Sequence, residues 1–186
     1  MTEISDTKEN LPASVEHFIL QWGNMGGHWG VNRSVSQIHA LLYLSEKALT
    51  ADDIADRLGM ARSNVSTSIK ELLAWNLIRR VPLRNDRRDH FEAETDVWEI
   101  FTRIVAGRKE REIDPALKAL KACVEAARQD GAISPVARKR LEDMLEFTDS
   151  ANGWYAQMLT VPRSTLKLLI RMGAKAIKLL PLGKAG

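Results

Sequence analysis

Cysteine is nearly absent from this chain, since Cys123 is the only one in 186 residues. A single cysteine excludes an intramolecular disulfide, as is typical of proteins from a reducing compartment. No uninterrupted apolar run approaches the roughly 18 residues that a membrane-spanning helix needs. The polar, acidic N-terminus (MTEISDTKENLP) also lacks the basic and then apolar pattern of an export signal. These absences favour a cytoplasmic protein without stable membrane insertion.

Signatures of catalysis and of metal or cofactor binding are missing as well. The sequence has no P-loop, no nucleophile elbow and no carboxylate pair in an evident cleft, and the glycines of residues 23–30 lack the GxGxxG spacing. The histidines are scattered over different predicted elements, at His17, His28, His39 and His90. We therefore expect no catalytic residue, no metal site and no cofactor, and we predict that the protein is not an enzyme.

Apolar residues recur at helical spacing along most of the chain. A polar tail is expected over residues 1–10. The pattern then predicts a helix over residues 11–22 that the glycine-rich run 23–30 breaks, and a second helix starting near Arg33. Further helices are predicted over residues 96–111, 115–128, 134–158 and 164–180. The predicted fold class is mainly α, with one small β element.

Two short helices between residues 50 and 75 have the spacing of a helix-turn-helix. Thr50 and Asp53 form a capping pair at the start of the first helix, and Gly59 suits its left-handed end. Val65, Ile69, Leu72 and Leu73 recur on one side of the second helix and should face a core. Its other side is small and hydrogen-bonding and carries a cation at each end, through Arg62, Ser63, Asn64, Thr67 and Lys70.

That polar side suits the major groove of DNA, which admits one α-helix and displays donors and acceptors on base edges. Ser63, Asn64 and Thr67 are the candidates for base contacts, whereas Arg62 and Lys70 are candidates for charged contacts to phosphate or guanine. An ordinary amphipathic helix with a solvated polar side would have the same pattern. The net charge of +3 is too small to decide between these alternatives.

A basic β-hairpin follows, with strands predicted over residues 77–83 and 89–95 around the turn-forming sequence RNDRR, where Asn85 tolerates positive φ. Such a hairpin after a helix-turn-helix is typical of a wing, which can lie along the DNA backbone or enter the minor groove. Arg84, Arg87 and Arg88 are the predicted DNA contacts. The alternative is a solvated loop in which Arg87 or Arg88 pairs with a neighbouring acid.

The stretches RLGMARSNVSTSIKELLAWNLIRRV and NDRRDHFEAETDVWEIF, with the upstream WGVNRSVSQIHALLYLSEKALTADDIA, resemble the GbsR-like branch of the MarR-type winged-helix regulators. The similarity covers about residues 15–125. Two positions depart from that pattern: Asn85 stands where a wing glycine is common, and Ala61 where relatives often carry a capping serine.

This resemblance implies a homodimeric transcriptional regulator, usually a repressor, that binds a pseudo-palindromic operator on double-stranded DNA. Its implied domains are an N-terminal tail and dimerisation helix over residues 1–30, a winged helix-turn-helix over residues 31–95 and a helical dimerisation region over residues 96–186. Some members of the branch respond to quaternary ammonium compounds, which suit aromatic cages. Trp22 and Trp29 are the candidate residues for a small-molecule effector.

Two other functions remain open. A winged helix can serve as a protein-interaction module, although the basic wing speaks against it. The last predicted helix has a basic face and an apolar face, as membrane-surface helices have. A dimerisation helix also explains the apolar face, and we favour this interpretation because the dimer already needs a wide apolar surface. The basic face consists of Arg163, Lys167, Arg171, Lys175 and Lys178.

Overall fold

The computed structural model describes residues 11–173. The chain divides into two compact units, residues 1–104 and residues 105–186. The predicted domain limits at residues 30 and 95 stay a prediction. The first unit contains most of α5 and all elements before it, in the order α1 (Ala13–His28), α2 (Arg33–Leu44), β1 (Leu49–Thr50), α3 (Ala51–Leu58), α4 (Arg62–Ala74), β2 (Ile78–Leu83), β3 (Asp86–Ala93) and α5 (Val97–Arg108).

The core of the first unit is built on α2, whose Ile38 and Leu41 are almost inaccessible to solvent. Helices α1 and α4 both pack against α2. The helix-turn-helix adds Ile54 and Val65 to the same core. Together with the small sheet these elements form a winged helix, which is the predicted fold class.

Helix α1 contradicts the prediction that the glycine-rich run would break it. The helix continues through Gly23, Gly26 and Gly27, and it ends where Gly30 adopts a φ of 76°. The inner glycines serve a contact, because a Cβ on Gly26 would lie 1.9 Å from Oγ of Ser36 on α2. The lack of a side chain at Gly26 therefore lets α1 and α2 approach closely. Within this glycine-rich run, only Gly30 adopts the left-handed conformation of a helix end.

The helix-turn-helix has the predicted caps. The Thr50 amide donates to Asp53 Oδ2 at 2.8 Å and the Asp53 amide donates to Thr50 Oγ1 at 3.1 Å. Gly59 ends α3 with a φ of 62°. Helix α4 begins at Arg62, and its N-cap residue Ala61 provides no side-chain cap.

A Schellman motif ends α4. Asn76 takes a φ of 55°, its amide donates to the Leu73 carbonyl at 3.0 Å, and the Leu77 amide donates to the Leu72 carbonyl at 3.0 Å. Leu72 and Leu77 are both buried in the core, which supplies the apolar contact that accompanies the motif. Asn76 is therefore the residue that stops α4.

The sheet has three strands in the order β1-β3-β2, all antiparallel. Strand β1 (Leu49–Thr50) is absent from the elements that the sequence predicts. The hairpin turn is shorter than expected: only Arg84 and Asn85 join β2 to β3, and Asn85 has a φ of 69°. Pro82 lies at an irregularity in the register of β2, as a residue without an amide donor must.

The second unit contains the end of α5, a π-helical segment (Lys109–Ile113), α6 (Asp114–Gln129), α7 (Pro135–Thr160) and α8 (Arg163–Met172). The break predicted between residues 111 and 115 is absent. Pro115 cannot donate an amide to the carbonyl four residues back, and the wider π turn before it lets the chain stay helical. Tyr155 on α7 donates to the Val105 carbonyl at 2.6 Å.

Helix α7 begins as predicted, since Ser134 Oγ accepts from the Ala137 amide at 3.1 Å. None of its 26 residues is fully buried in the single chain. No helix within residues 11–173 is both long and apolar enough to cross a bilayer. The predicted tail over residues 1–10 and the end of the predicted last helix, including Lys175 and Lys178, lie outside the described residues.

The close contact between α1 and α2 leads to a stability prediction. Gly26→Ala should lower the free energy of unfolding by about 1–3 kcal/mol, because the new methyl group overlaps Ser36. Gly27→Ala is the matched control. Its Cβ meets nothing within 4 Å, so it should instead raise stability by about 0.5–1 kcal/mol through the higher helix propensity of alanine. Denaturant titrations of both variants measure the difference, and equal stabilities would contradict the proposed contact.

His39 on α2 leads to a second prediction, of pH dependence. Its ring lies between Trp22 and Tyr43, its Nε2 has no hydrogen-bond partner within the described residues, and burial lowers its pKa from 6.5 to about 4. Between these two pH values the imidazole of His39 is protonated in the unfolded chain but neutral in the folded chain. Stability should therefore fall by about 3 kcal/mol as the pH drops from 6.5 to 4.

Urea titrations across this pH range, made on wild type and on His39→Leu, isolate that contribution. The variant should lose less stability on acidification than the wild type does. If the free energy of unfolding depended on pH equally in both proteins, protonation of His39 would not destabilise the folded chain, and the prediction would be wrong.

Candidate nucleic-acid interface

One side of α4 is buried and the opposite side is exposed. Val65, Ile69 and Leu72 pack into the core, and Leu73 is partly buried against it. The polar side chains that the sequence singles out on this helix all face solvent, namely Arg62, Ser63, Asn64, Thr67 and Lys70. The structure thus presents these five residues as a single surface.

This surface continues onto the wing. A groove of about 310 Å³ lies between α4, the start of α3 and the strands β2 and β3. Arg62 and Lys70 line it from α4, whereas Arg80 and Arg88 line it from the wing. Four cations from α4 and the wing therefore line one depression together with two acids, Asp52 and Asp89, and this excess of positive charge would attract a negatively charged group.

Arg62 is held by the helix before it. Its Nε donates to Asp52 Oδ1 on α3, and its Nη1 donates to Ser66 Oγ at 3.1 Å. Both partners of the Arg62–Asp52 pair are at least half exposed, so the pair is weak and can exchange with another anion. Asp52 orients the guanidinium in the absence of such an anion.

Asn64 is tied to a different helix. Its Nδ2 donates to Ser34 Oγ at 2.9 Å, at the first turn of α2. This bond leaves the amide oxygen and the second amide hydrogen of Asn64 available, which is the pair of groups that recognises adenine. Thr67 Oγ1 donates back to the Ser63 carbonyl at 3.1 Å and keeps its lone pairs for acceptance.

Asp86 organises the wing. Arg88 donates to it from Nη2 at 2.6 Å and from its backbone amide at 3.0 Å. Nε2 of the buried His90 lies 3.4 Å from the same carboxylate. The side-chain hydrogen bonds from Arg88 are the main reason that the pKa of Asp86 lies well below its ordinary value. The predicted alternative in which Arg88 pairs with Asp86 is therefore present.

The other wing arginines differ in their partners. Arg79 pairs with Glu92 across the hairpin, and Arg80 lies 3.8 Å from Asp89. Among residues 11–173, the side chains of Arg84, Arg87 and Lys70 form no ion pair, and all three are exposed. These three cations are consequently available to an external anion without breaking a contact.

The two candidate effector residues occupy different environments. Trp22 is half-buried, stacks on Phe18 with ring centroids 5.5 Å apart, and lies 6.4 Å from His39. Trp29 follows the last residue of α1 and is 62% exposed. In the described part of the chain, no group of three or more His, Cys, Asp or Glu side chains could hold a metal ion.

Sequence analysis did not identify Ser34 or Asp52 as part of this surface. Ser34 is 30 residues before Asn64, and nothing in its local pattern indicates that contact. Asp52 appears in the sequence only as an acid in the first turn of α3. The one available signal was its position ten residues before Arg62, across a turn whose geometry Gly59 determines.

Comparison with known proteins supports this description. The model of the MarR family matches residues 29–89. The HTH-type transcriptional repressor GbsR of Bacillus subtilis (strain 168) is 28% identical over 93 residues, which are 50% of this chain and 51% of the relative. The HTH-type transcriptional repressor OpcR of the same strain is 22% identical over 91 residues, 49% of each chain. The chain spans about half the length of these curated relatives.

A solved structure shares the fold. The crystal structure of a transcriptional regulator superposes with a TM-score of 0.61 at 16% sequence identity, and it covers 78% of this chain and 95% of its own. The likeness extends well beyond residues 29–89 and therefore includes helices that flank the winged helix.

Proposed function

We propose that the protein is a DNA-binding transcriptional regulator of the MarR type that acts as a homodimer, on the premise that the model of the MarR family matches residues 29–89. By analogy with GbsR and OpcR, both of which are called repressors, its action is repression. A cytoplasmic location goes with this function.

The observation that carries the proposal is the shared surface of α4 and the wing. Polar side chains of α4 and arginines of the wing line one groove. Three exposed cations of the same two elements, Lys70, Arg84 and Arg87, form no ion pair among residues 11–173. If the polar side of α4 were merely solvated, we would not expect a second basic element, the wing, to lie beside it. B-DNA offers a major groove for the helix and a phosphate backbone for the wing.

Each side chain of the surface has a role in this proposal. Ser63, Asn64 and Thr67 contact base edges, and Lys70 binds a phosphate. Arg62 exchanges Asp52 for a phosphate or a guanine. Arg84 and Arg87 extend along the backbone or into the minor groove, and Arg88, braced by Asp86, supports them.

An apolar stripe on α7 supports dimerisation. Its members are three or four residues apart on one side of the helix, and Met144, Phe147 and Trp154 among them are more than half exposed in the single chain. Exposed aromatic residues in such a row are typical of an interface. The stripe consists of Met144, Phe147, Ala151, Trp154 and Met158.

A two-fold dimer reads a pseudo-palindromic operator, with its two α4 helices about 34–36 Å apart. Helix α1 contributes to the dimer through Leu20 and Met25, which are exposed. Trp22 and Trp29 are the residues through which a small molecule would act on α1.

Lys70 tests the DNA surface directly. Lys70→Ala should weaken binding both to DNA from upstream of the protein's own gene and to a shuffled duplex. The slope of log K against log salt should flatten by about one unit, because one phosphate contact is lost. Fluorescence anisotropy over a range of salt concentrations measures both quantities.

Lys139→Ala is the matched control, since Lys139 is exposed and its loss removes the same charge from the second unit. It should leave the slope unchanged. A slope that Lys70→Ala does not alter would contradict the phosphate contact, and a wild type that binds neither duplex would overturn the proposed function.

Phe147 tests the dimer. Phe147→Glu places a charge in the apolar stripe and should convert the protein to monomers, with a loss of operator affinity. Gln157→Glu adds the same charge to an exposed position outside the stripe and should leave the dimer intact. Sedimentation velocity distinguishes the two states, and a Phe147→Glu protein that stays dimeric would refute an interface on α7.

A further inference from the structure

Arg103 on α5 joins three separate parts of the first unit. Its Nε donates to Glu99 Oε1 at 2.9 Å on the same helix, and its Nη2 donates to Glu94 Oε2 at 3.0 Å. Its Nη1 donates to the carbonyl of Asn76. The side chain is 32% exposed, and both carboxylates are shielded to a similar degree. These contacts are therefore less screened by solvent than ordinary surface ion pairs are.

The Asn76 carbonyl belongs to the C-terminal end of α4. Asn76 is the left-handed residue of the Schellman motif, and the helix dipole concentrates negative charge there. A guanidinium at this point stabilises the end of the helix and resists its displacement. The contact lies about 20 Å along the helix axis from Arg62 and about 9 Å from Lys70, so Arg103 is not among the residues proposed to touch DNA.

Glu94 belongs to the wing. It follows β3, and its amide donates to the Leu77 carbonyl at 2.9 Å. Its Oε1 accepts from the amides of Thr95 and Asp96 at 2.9 and 3.1 Å, which orders the start of α5. One carboxylate thus connects the exit of the wing, the entry of α5 and Arg103.

We propose that Arg103 is a positioning residue that holds α4 and the wing at the relative orientation that DNA binding requires. The observation behind this is that one guanidinium contacts the end of α4, the end of the wing and α5 at once. Because Arg103 is the last residue but one of the first unit, a displacement of α5 reaches both DNA-contacting elements through it. This inference rests on the proposed function.

An ordinary surface ion pair would not require arginine. A planar guanidinium donates in several fixed directions, whereas the ammonium of lysine cannot reach two carboxylates and a carbonyl in the same geometry. Positioning therefore predicts that Arg103→Lys restores the charge without restoring the affinity. A purely electrostatic role predicts that Arg103→Lys restores the affinity for DNA together with the charge.

The experiment compares Arg103→Ala, Arg103→Lys and Glu94→Gln with wild type in anisotropy titrations, using the duplex from upstream of the gene and a shuffled duplex. Arg103→Ala should lower affinity for the upstream duplex by about two- to tenfold, which corresponds to a loss of binding free energy of about 0.4–1.4 kcal/mol. The salt slope should stay unchanged, because no phosphate contact is lost. Arg103→Lys should recover little of the loss.

A double variant separates positioning from general damage. Glu94→Gln keeps an oxygen for the amides of Thr95 and Asp96 but removes the charge that Arg103 meets. If both residues act through one contact, adding Arg103→Ala to Glu94→Gln should cost less than the sum of the two single losses. Arg128→Ala is the control, since Arg128 also meets two carboxylates but lies in the second unit.

Four results overturn the inference: an unchanged affinity for Arg103→Ala, full recovery by Arg103→Lys, losses that add up fully, or a salt slope that falls by about one unit. The last would place Arg103 in direct contact with phosphate. If Arg103→Ala fails to fold, as judged by circular dichroism, the comparison of Arg103→Lys with wild type decides. If the wild-type protein binds neither duplex, the proposed function itself is wrong. If the wild-type protein binds and Arg103→Ala binds equally well, only this inference is wrong.

Discussion

Burial of one side of α4 is the constraint on which the rest of the structure depends. Val65, Ile69 and Leu72 are removed from water, and each contributes about 1.5–3 kcal/mol through that burial. A rotation of the helix that brought its polar side inward would forfeit these terms and bury groups without partners. Core packing therefore determines which side chains are presented, and it does so before any ligand is present.

The exposed surface combines two kinds of cation. Arg62 and Arg88 are held by Asp52 and Asp86, so that their guanidinium groups have defined positions in the free protein. Lys70, together with Arg84 and Arg87 on the wing, meets no acidic group within the described residues. Arginines that an acid holds in place favour selective contacts, whereas cations without an acidic partner favour general attraction to a phosphate backbone. Both properties are needed by a protein that must first find DNA and then recognise a site.

Much of this architecture could be predicted from local patterns. The Thr50–Asp53 cap, the left-handed Gly59, Asn76 and Asn85, and the amphipathic α4 all depend on interactions within a few residues of the chain. Two of the failures have a common cause, since each depends on a distant partner. The glycines of α1 were interpreted as a break because Ser36 is ten residues from Gly26, and β1 exists only because β3 pairs with it.

The sequence by itself determined the elements and their chemistry: an apolar side and a polar side on α4, an arginine-rich hairpin, and helix ends at residues that tolerate positive φ. Periodicity and capping are short-range properties, and a single chain displays them directly. Tertiary structure alone decided which of these groups meet. It joined Asn64 to Ser34, Arg62 to Asp52 and Arg103 to both Asn76 and Glu94, because side chains that are far apart in sequence become neighbours only when helices pack.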